Sequence, residues 1–252
     1  MARCGDSEGS ASAHFEEAAG RYEAVARERP EFEERFAIFK RRIGTAWERA
    51  GGGSAVAVDL GCGSGELTWY VAAKGFRTFG VDSSAAMLEH ARRRAEVHGI
   101  DDITFLERHL PLVRPSEIAA PAGVALVVAS SVLEYVERDQ ELLEQCGSLL
   151  AADGQALISF PNRRSVYWAL QRRLRKTRLF RNSDSYHQRH LYVPAEVGKL
   201  GAAAKLAVSD VQYFALPLQR KLPRSWRWRS QWLAMMFVAT FSRSPDTPSG
   251  RG

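Results

Sequence analysis

Ala55-Val56-Ala57-Val58-Asp59-Leu60-Gly61-Cys62-Gly63-Ser64-Gly65-Glu66 is the stretch that decides the fold. Its apolar run, Ala55 to Val58, closes on Asp59 and reads as a parallel strand buried on both faces. Gly61, Gly63 and Gly65 follow at alternate positions. Glycine lets the backbone approach a ligand closely and turn sharply. A helix then opens near Glu66 and runs to about Lys74, and its free N–H groups can face a bound group. Gly75 stops it.

The same unit recurs down the chain. Thr78 to Val81 is a second strand ending at Asp82, and Ser83 and Ser84 are good N-caps for a helix from about Ala85 to His98. Ile103 to Leu106 is a third strand. Val124 to Ala129 is a fourth, followed by a helix from about Arg138 to Leu150. Ala151-Ala152-Asp153-Gly154 reads as a turn before a fifth strand, Ala156 to Phe160. Five alternations of strand and helix with short connections predict a parallel sheet covered by helices.

Upstream, residues 1–12 are small, polar and aperiodic and read as disordered. Residues 13–50 read as a helical cap, with apolar positions at three- and four-residue spacing and a break at Pro30. The core occupies 51–162. Residues 163–200 form a basic, helix-rich insertion, and 201–243 hold two late strands, Leu206 to Leu216 and Met235 to Phe241, with a short helix between Pro223 and Trp232. Residues 244–252 read as a disordered tail.

The turn also restricts the ligand. A nicotinamide or flavin fingerprint needs G-x-G-x-x-G/A, but Glu66 stands three residues after Gly63 and would repel a pyrophosphate. Asp59 before the glycines suits a cation. Asp82, at the end of the second strand, can take both hydroxyls of a ribose. S-adenosylmethionine (SAM) meets these demands: a nucleoside carrying an ammonium and a sulfonium, with no phosphate.

On these residues the chain resembles the class I SAM-dependent methyltransferases. It is most similar to the small-molecule branch that holds the ubiquinone-biosynthesis O-methyltransferases and natural-product tailoring enzymes. The resemblance rests on Val58 to Gly65, Gly80 to Leu88, Ser130 to Val136 and Leu149 to Gln155. It implies a Rossmann-like α/β fold: a seven-stranded, mostly parallel sheet with an antiparallel last strand, an N-terminal helical lid and a helical insertion before strand six. It implies that Asp59, Gly61 and Gly63 meet the methionine end of SAM, Asp82 the ribose, and Ser83 and Met87 the adenine. Cys62 and Gly65 of the turn, Leu110 and Ser130 complete the expected cofactor site.

The sequence departs from the family pattern at two places. Where an acidic residue usually meets the adenine amino group, Glu107-Arg108-His109-Leu110 places His109; His109, Glu107 or the backbone could serve. Where many members carry a histidine after strand four, this chain has Tyr135. Methyl transfer mainly requires alignment and exclusion of water. A base helps when the acceptor must lose a proton. The candidates are His190 and His187, in Tyr186-His187-Gln188-Arg189-His190, and Tyr135; the alternative reading of the histidines is loop bracing. Tyr22, Glu134 and Tyr186 are candidates for acceptor contact, with helix packing as the plainer role for Tyr22.

Composition agrees with a globular enzyme: 45% hydrophobic and 25% charged residues. The longest apolar runs, such as Gly123 to Leu133, are too short to span a membrane, and the polar start has no leader-like core. Three cysteines, Cys4, Cys62 and Cys146, form neither a disulfide frame nor a zinc site, so no metal is expected and a reducing cytoplasm is the expected location.

The net charge of +6 is local. Arg163 to Arg181 holds eight Lys/Arg and no acid, and Arg220 to Arg229 holds five more; the remainder therefore sums to 6 − 13 = −7. Three readings fit these patches: a solvated face over the acceptor site, peripheral contact with an anionic membrane through Arg163 to Arg181, and recognition of an acidic acceptor. Nucleic acid is disfavoured, because Ser130-Ser131-Val132-Leu133 replaces the Asp/Asn-Pro-Pro-aromatic run that holds a flipped base. The expected function is transfer of a methyl group from SAM to an oxygen or nitrogen of a small, quinone-like or amphipathic acceptor. The alternatives are a non-catalytic SAM-binding or membrane-associated partner and an RNA methyltransferase.

Overall fold

The computed structural model of the chain describes residues 30–111, 115–118, 120–174, 190–215 and 230–244. Seven strands form one sheet: β1 (Val56–Leu60), β2 (Arg77–Asp82), β3 (Ile103–Glu107), β4 (Val124–Ala129), β5 (Leu150–Pro161), β6 (Leu206–Phe214) and β7 (Met236–Arg243). Their order is β3-β2-β1-β4-β5-β7-β6. β1 to β5 pair in parallel, and β7 is antiparallel to both of its neighbours. The order in which strands are added reverses between β1 and β4, and because these strands are parallel the loops after β1, β2 and β4 gather at one carboxyl edge, where open α/β sheets bind ligands.

The helices are α1 (Pro30–Arg49), α2 (Glu66–Ala73), α3 (Ala85–Val97), α4 (Asp139–Leu149), α5 (Val166–Leu174), α6 (Pro194–Ala203) and the single turn α7 (Ser230–Leu233). Pro30, read from sequence as a break, is the first residue of α1. A proline suits that place because its missing N–H would have had no partner there. Glu31 and Glu33 in the first turn and Arg49 in the last favour the helix dipole.

Alternating residues of each strand face two apolar layers. Val58, Val127, Ala129, Ala156 and Ile158 pack with Leu142, Leu143 and Cys146 of α4 and Val197 of α6. Ala57, Leu126, Val128 and Leu157 pack with Ile38, Phe39 and Ile43 of α1 and Leu67 and Val71 of α2. Arg42 of α1 also pairs with Asp210 of β6. The N-terminal helix is thus built into the core on one face of the sheet.

One sequence expectation differs from the structure. Ala151 to Gly154, expected as a turn, lies within β5. Val124 pairs with Leu150 and Leu126 with Gln155, so four residues of β5 stand opposite Ala125 alone. Glycines permit this crowding: a Cβ on Gly154 would lie 2.6 Å from the Val124 carbonyl, and one on Gly123 2.7 Å from the Ala151 nitrogen. Among its described residues, the helix-rich segment 163–200 holds two helices. It contains α5, then Tyr192 in a bridge to Asn162, then α6. The expectations for 1–12, for residues 175–189 and 216–229 with their basic clusters, and for 245–252 lie outside the described residues.

Phe160 anchors the β5–β7 half of the core. It is fully buried, with the Phe237 ring stacked at 5.4 Å and the Tyr192 ring edge-on at 5.1 Å. Phe160→Ala should cost about 3–5 kcal/mol, read in a urea titration as a lower midpoint at an unchanged slope.

Candidate active site

The turn after β1 is held from both sides. The Gly61 and Cys62 N–H groups donate to the Val81 carbonyl of β2 at 2.7 and 2.9 Å. The Gly63 N–H donates to one oxygen of Asp82 at 2.8 Å, and the Ser84 N–H to the other at 3.0 Å. Asp82 thereby locks the β1 turn to the β2 turn. Ser84 caps α3, its hydroxyl accepting the Met87 N–H at 3.1 Å.

The glycines have separate jobs. A Cβ on Gly61 would stand 2.3 Å from Val132, so the turn touches the loop after β4. A Cβ on Gly65 would stand 2.8 Å from Ala91, so α2 lies close against α3. A Cβ on Gly63 would meet nothing within 4 Å. Its open side belongs to a cleft.

The cleft gathers most of the expected cofactor residues. Asp59, Gly61, Cys62 and Gly63 line it from β1 and its turn; Asp82, Ser83 and Met87 from β2 and α3. His109 and Leu110 line it after β3, and Ser130 and Tyr135 after β4. Gly65 is not in the wall; it shapes the turn from behind. Glu107 is exposed and is likewise not among the described wall residues; Arg108, His109 and Leu110 line the cleft there.

Two other expected residues, Glu134 and His190, lie away from the described wall. Glu134 is buried beneath the wall rather than on it, because the turn Val132 to Val136 directs it inward. His190 is half-buried beside the Tyr192 ring, 6.2 Å away, and is not a wall residue. Tyr192 explains the local order: its hydroxyl donates to Asp139 at 2.9 Å, and Phe160 packs on its ring. Tyr22, Tyr186 and His187 lie outside the described residues.

Sequence reading missed the wall supplied by α1. Phe32, Arg35 and Phe36 line the cleft. Their i, i+3, i+4 spacing puts them on one helix face, and the arginine within that apolar stripe was the available signal. The Arg35 guanidinium lies 4.4 Å from the Phe32 ring centre and donates to the Ser131 hydroxyl at 2.7 Å. Ser131 has φ +56, a left-handed conformation that costs a non-glycine residue about 1–2 kcal/mol. The Ser159 hydroxyl, accepting its N–H at 2.7 Å, helps to hold it there.

Burial sets the acid chemistry. Asp59 is pushed up to about 7, chiefly by desolvation and further by Asp82, against the opposing hydrogen bond from Thr68 at 2.7 Å. Burial, then Asp82 and Asp59, raise the Cys62 thiol well above its ordinary range, so it is no thiolate nucleophile. Burial likewise pushes Glu134 up to about 7, with Arg35 opposing. Its Oε2 has no hydrogen-bond partner among the described residues. No cluster of metal-ligating side chains occurs among the described residues.

Glu134 therefore makes stability depend on pH. The unfolded carboxyl titrates near 4.5 and the folded one near 7, so between them the folded chain keeps a proton the unfolded chain releases. Its contribution is full below pH 4.5 and is lost as pH rises through 7. Glu134→Gln should raise the thermal midpoint at pH 8 and leave it nearly unchanged at pH 4.5, measured by calorimetry at both values.

Residues 58–156 match the methyltransferase domain family. The ubiquinone biosynthesis O-methyltransferase of Klebsiella pneumoniae is 30% identical over 156 residues, 60% of this chain and 62% of that protein. The same enzyme of Sodalis glossinidius is 29% identical over 131 residues, 51% of each. The chain thus spans about half to three-fifths of the length of these relatives. Among solved structures, magnesium protoporphyrin IX methyltransferase from Synechocystis PCC 6803 with bound SAM superposes with a TM-score of 0.67. It shares 14% identity, with 97% of this chain and 100% of that one covered. Residues 58–156 are therefore similar to a methyltransferase domain, and the chain shares the fold of a methyltransferase crystallised with SAM.

Proposed function

We propose that this chain is an enzyme that transfers a methyl group from SAM to an oxygen or nitrogen of a small aromatic or amphipathic acceptor. One observation carries the reading: the glycine turn, two carboxylates and an aromatic wall from α1 face a single cleft. The likeness to ubiquinone biosynthesis O-methyltransferases supports the choice of a quinone-like acceptor.

The residues present fit SAM. Gly63 leaves room where any side chain would intrude. Each oxygen of Asp82 can accept more than one hydrogen bond, so the groups that lock the turn leave capacity for ribose hydroxyls. Ser130, a residue of the same cleft, holds a buried hydroxyl with no partner among the described residues. Asp59 places an acid on the wall where an ammonium would lie, and buried Met87 offers an apolar surface to the base. Arg35 suits the carboxylate at the methionine end.

Bound SAM would supply a methyl group activated by its sulfonium. The chain does the rest. Phe32, Phe36, Val132 and Val136 give the acceptor side of the cleft an apolar, water-excluding surface. Tyr135 puts a phenol on that surface and can orient an acceptor hydroxyl or amine. The rate gain would come mainly from holding donor and acceptor in line, and no buried nucleophile is required.

Isothermal titration with SAM and with its demethylated product tests the site. Micromolar binding is expected, weakened about a hundredfold or more in Asp82→Ala. No binding by the wild-type chain would overturn the proposal. Binding with no methyl transfer to any phenolic or amine acceptor would favour a binding protein over an enzyme.

Asp59 adds a pH signature. A cationic ligand prefers the ionised carboxylate, and the free carboxyl titrates near 7. SAM affinity should fall toward about tenfold per unit as pH drops below 7. Asp59→Asn should flatten this profile.

A further inference from the structure

The described residues expose five large hydrophobic side chains, and four of them belong to one corner of the molecule. Val166, Tyr167 and Leu170 on α5 are 54%, 36% and 59% exposed, and Trp232 on α7 is 51% exposed. Val166 and Leu170 are one helical turn apart and share a face. α5 packs against α7, and the Arg164 guanidinium lies 5.7 Å from the Trp232 ring centre.

This corner is a firmly seated part of the fold. On its inner side α5 is fixed by Trp168, which is buried and donates its indole N–H to the Met235 carbonyl at 2.8 Å. Just before the helix, Asn162 and Ser165 are fully buried, and the Asn162 amide donates to the Ala234 carbonyl at 2.9 Å. The exposed face of α5 is thus set by the opposite side's attachment, and it cannot roll inward without breaking these contacts.

The charges of α5 and of the turn before it are all basic. Arg164 and Arg173 are exposed, and Arg173 continues the face of Leu170 at i+3. The sequence from 163 to 183 contains no acid, while Arg163 to Arg181 contains eight Lys/Arg. Arg163 is matched by Glu196 of α6.

We propose that this corner docks on an anionic lipid bilayer, with Val166, Leu170, Tyr167 and Trp232 entering the interface and the arginines meeting lipid phosphates. Apolar side chains on a short helix, interfacial Trp and Tyr, and a basic surround are the chemistry such a surface selects. A second copy of the chain fits poorly, because two such basic corners repel. RNA fits poorly too, because Val166 and Leu170 offer no face on which a base can stack. The contact is peripheral: no described helix is long and apolar enough to cross a membrane.

Co-sedimentation of the full chain with phosphatidylglycerol vesicles, beside phosphatidylcholine vesicles, is the test. Binding to phosphatidylglycerol is expected, with little to phosphatidylcholine and a fall as salt rises. Leu170→Glu with Trp232→Ala should weaken binding about tenfold or more while the melting temperature holds, since both side chains are exposed. Arg164→Gln with Arg173→Gln should weaken it severalfold and flatten the salt dependence. No binding to phosphatidylglycerol, or equal binding by the Leu170/Trp232 variant, would overturn the proposal. So would a wild-type dimer that the same variant dissolves, or vesicle binding that RNA matches and this variant does not alter.

Discussion

The carboxylate of Asp82 is the interaction on which the site depends. It accepts the Gly63 N–H from the β1 turn and the Ser84 N–H from its own turn, so two loops share one charged brace. The Val81 carbonyl adds two bonds from Gly61 and Cys62. With the turn fixed, Gly61 can meet Val132 and Gly65 can meet Ala91. These contacts bring the ends of β1, β2 and β4 to one cleft. A turn held this way needs little reorganisation when a ligand arrives, the condition under which binding groups act most strongly.

The same neighbourhood carries energetic costs. Asp59 and Glu134 are buried acids held near neutrality, and Ser131 is a non-glycine residue in a left-handed conformation. Each opposes folding at neutral or higher pH or through backbone strain. They are concentrated around the carboxyl ends of β1 and β4, while the surrounding sheet is apolar on both faces. Strained or poorly solvated groups of this kind persist where the rest of the fold over-determines them. The two apolar layers supply that surplus.

Helix α1 joins these themes. Its apolar face packs on the sheet, its Arg42 pairs with β6, and its Phe32, Arg35 and Phe36 form a wall of the cleft. A cleft wall that is also a core helix ties the shape of the site to the stability of the fold. The α5–α7 corner is built differently. It is fastened by Trp168 and Asn162 but leaves its apolar side chains in solvent, so its surface chemistry can vary with little effect on the sheet.

Local chemistry made much of this legible in the sequence. The apolar run before Asp59, the alternate glycines, the carboxylate closing β2 and the serine cap of α3 each act within a few residues, so the alternation of strands and helices and the glycine-turn site could be read directly. Long-range packing decided the rest. Glu134 and Tyr135 are adjacent in sequence, but only the turn after β4 sends one inward and leaves the other on the cleft. The bulge in β5 depends on Gly123 and Gly154 meeting across two strands, which no single stretch reveals. Arg35 became a cleft residue because α1 folds back over β4, and Tyr192, beside His190, is held by Asp139 and Phe160, both distant in sequence. The sequence by itself determined the glycine turn, its two carboxylates and the class of fold, because those rest on backbone conformation and nearest neighbours. The tertiary structure alone decided which side chains share the cleft, because that depends on contacts between residues far apart in the chain.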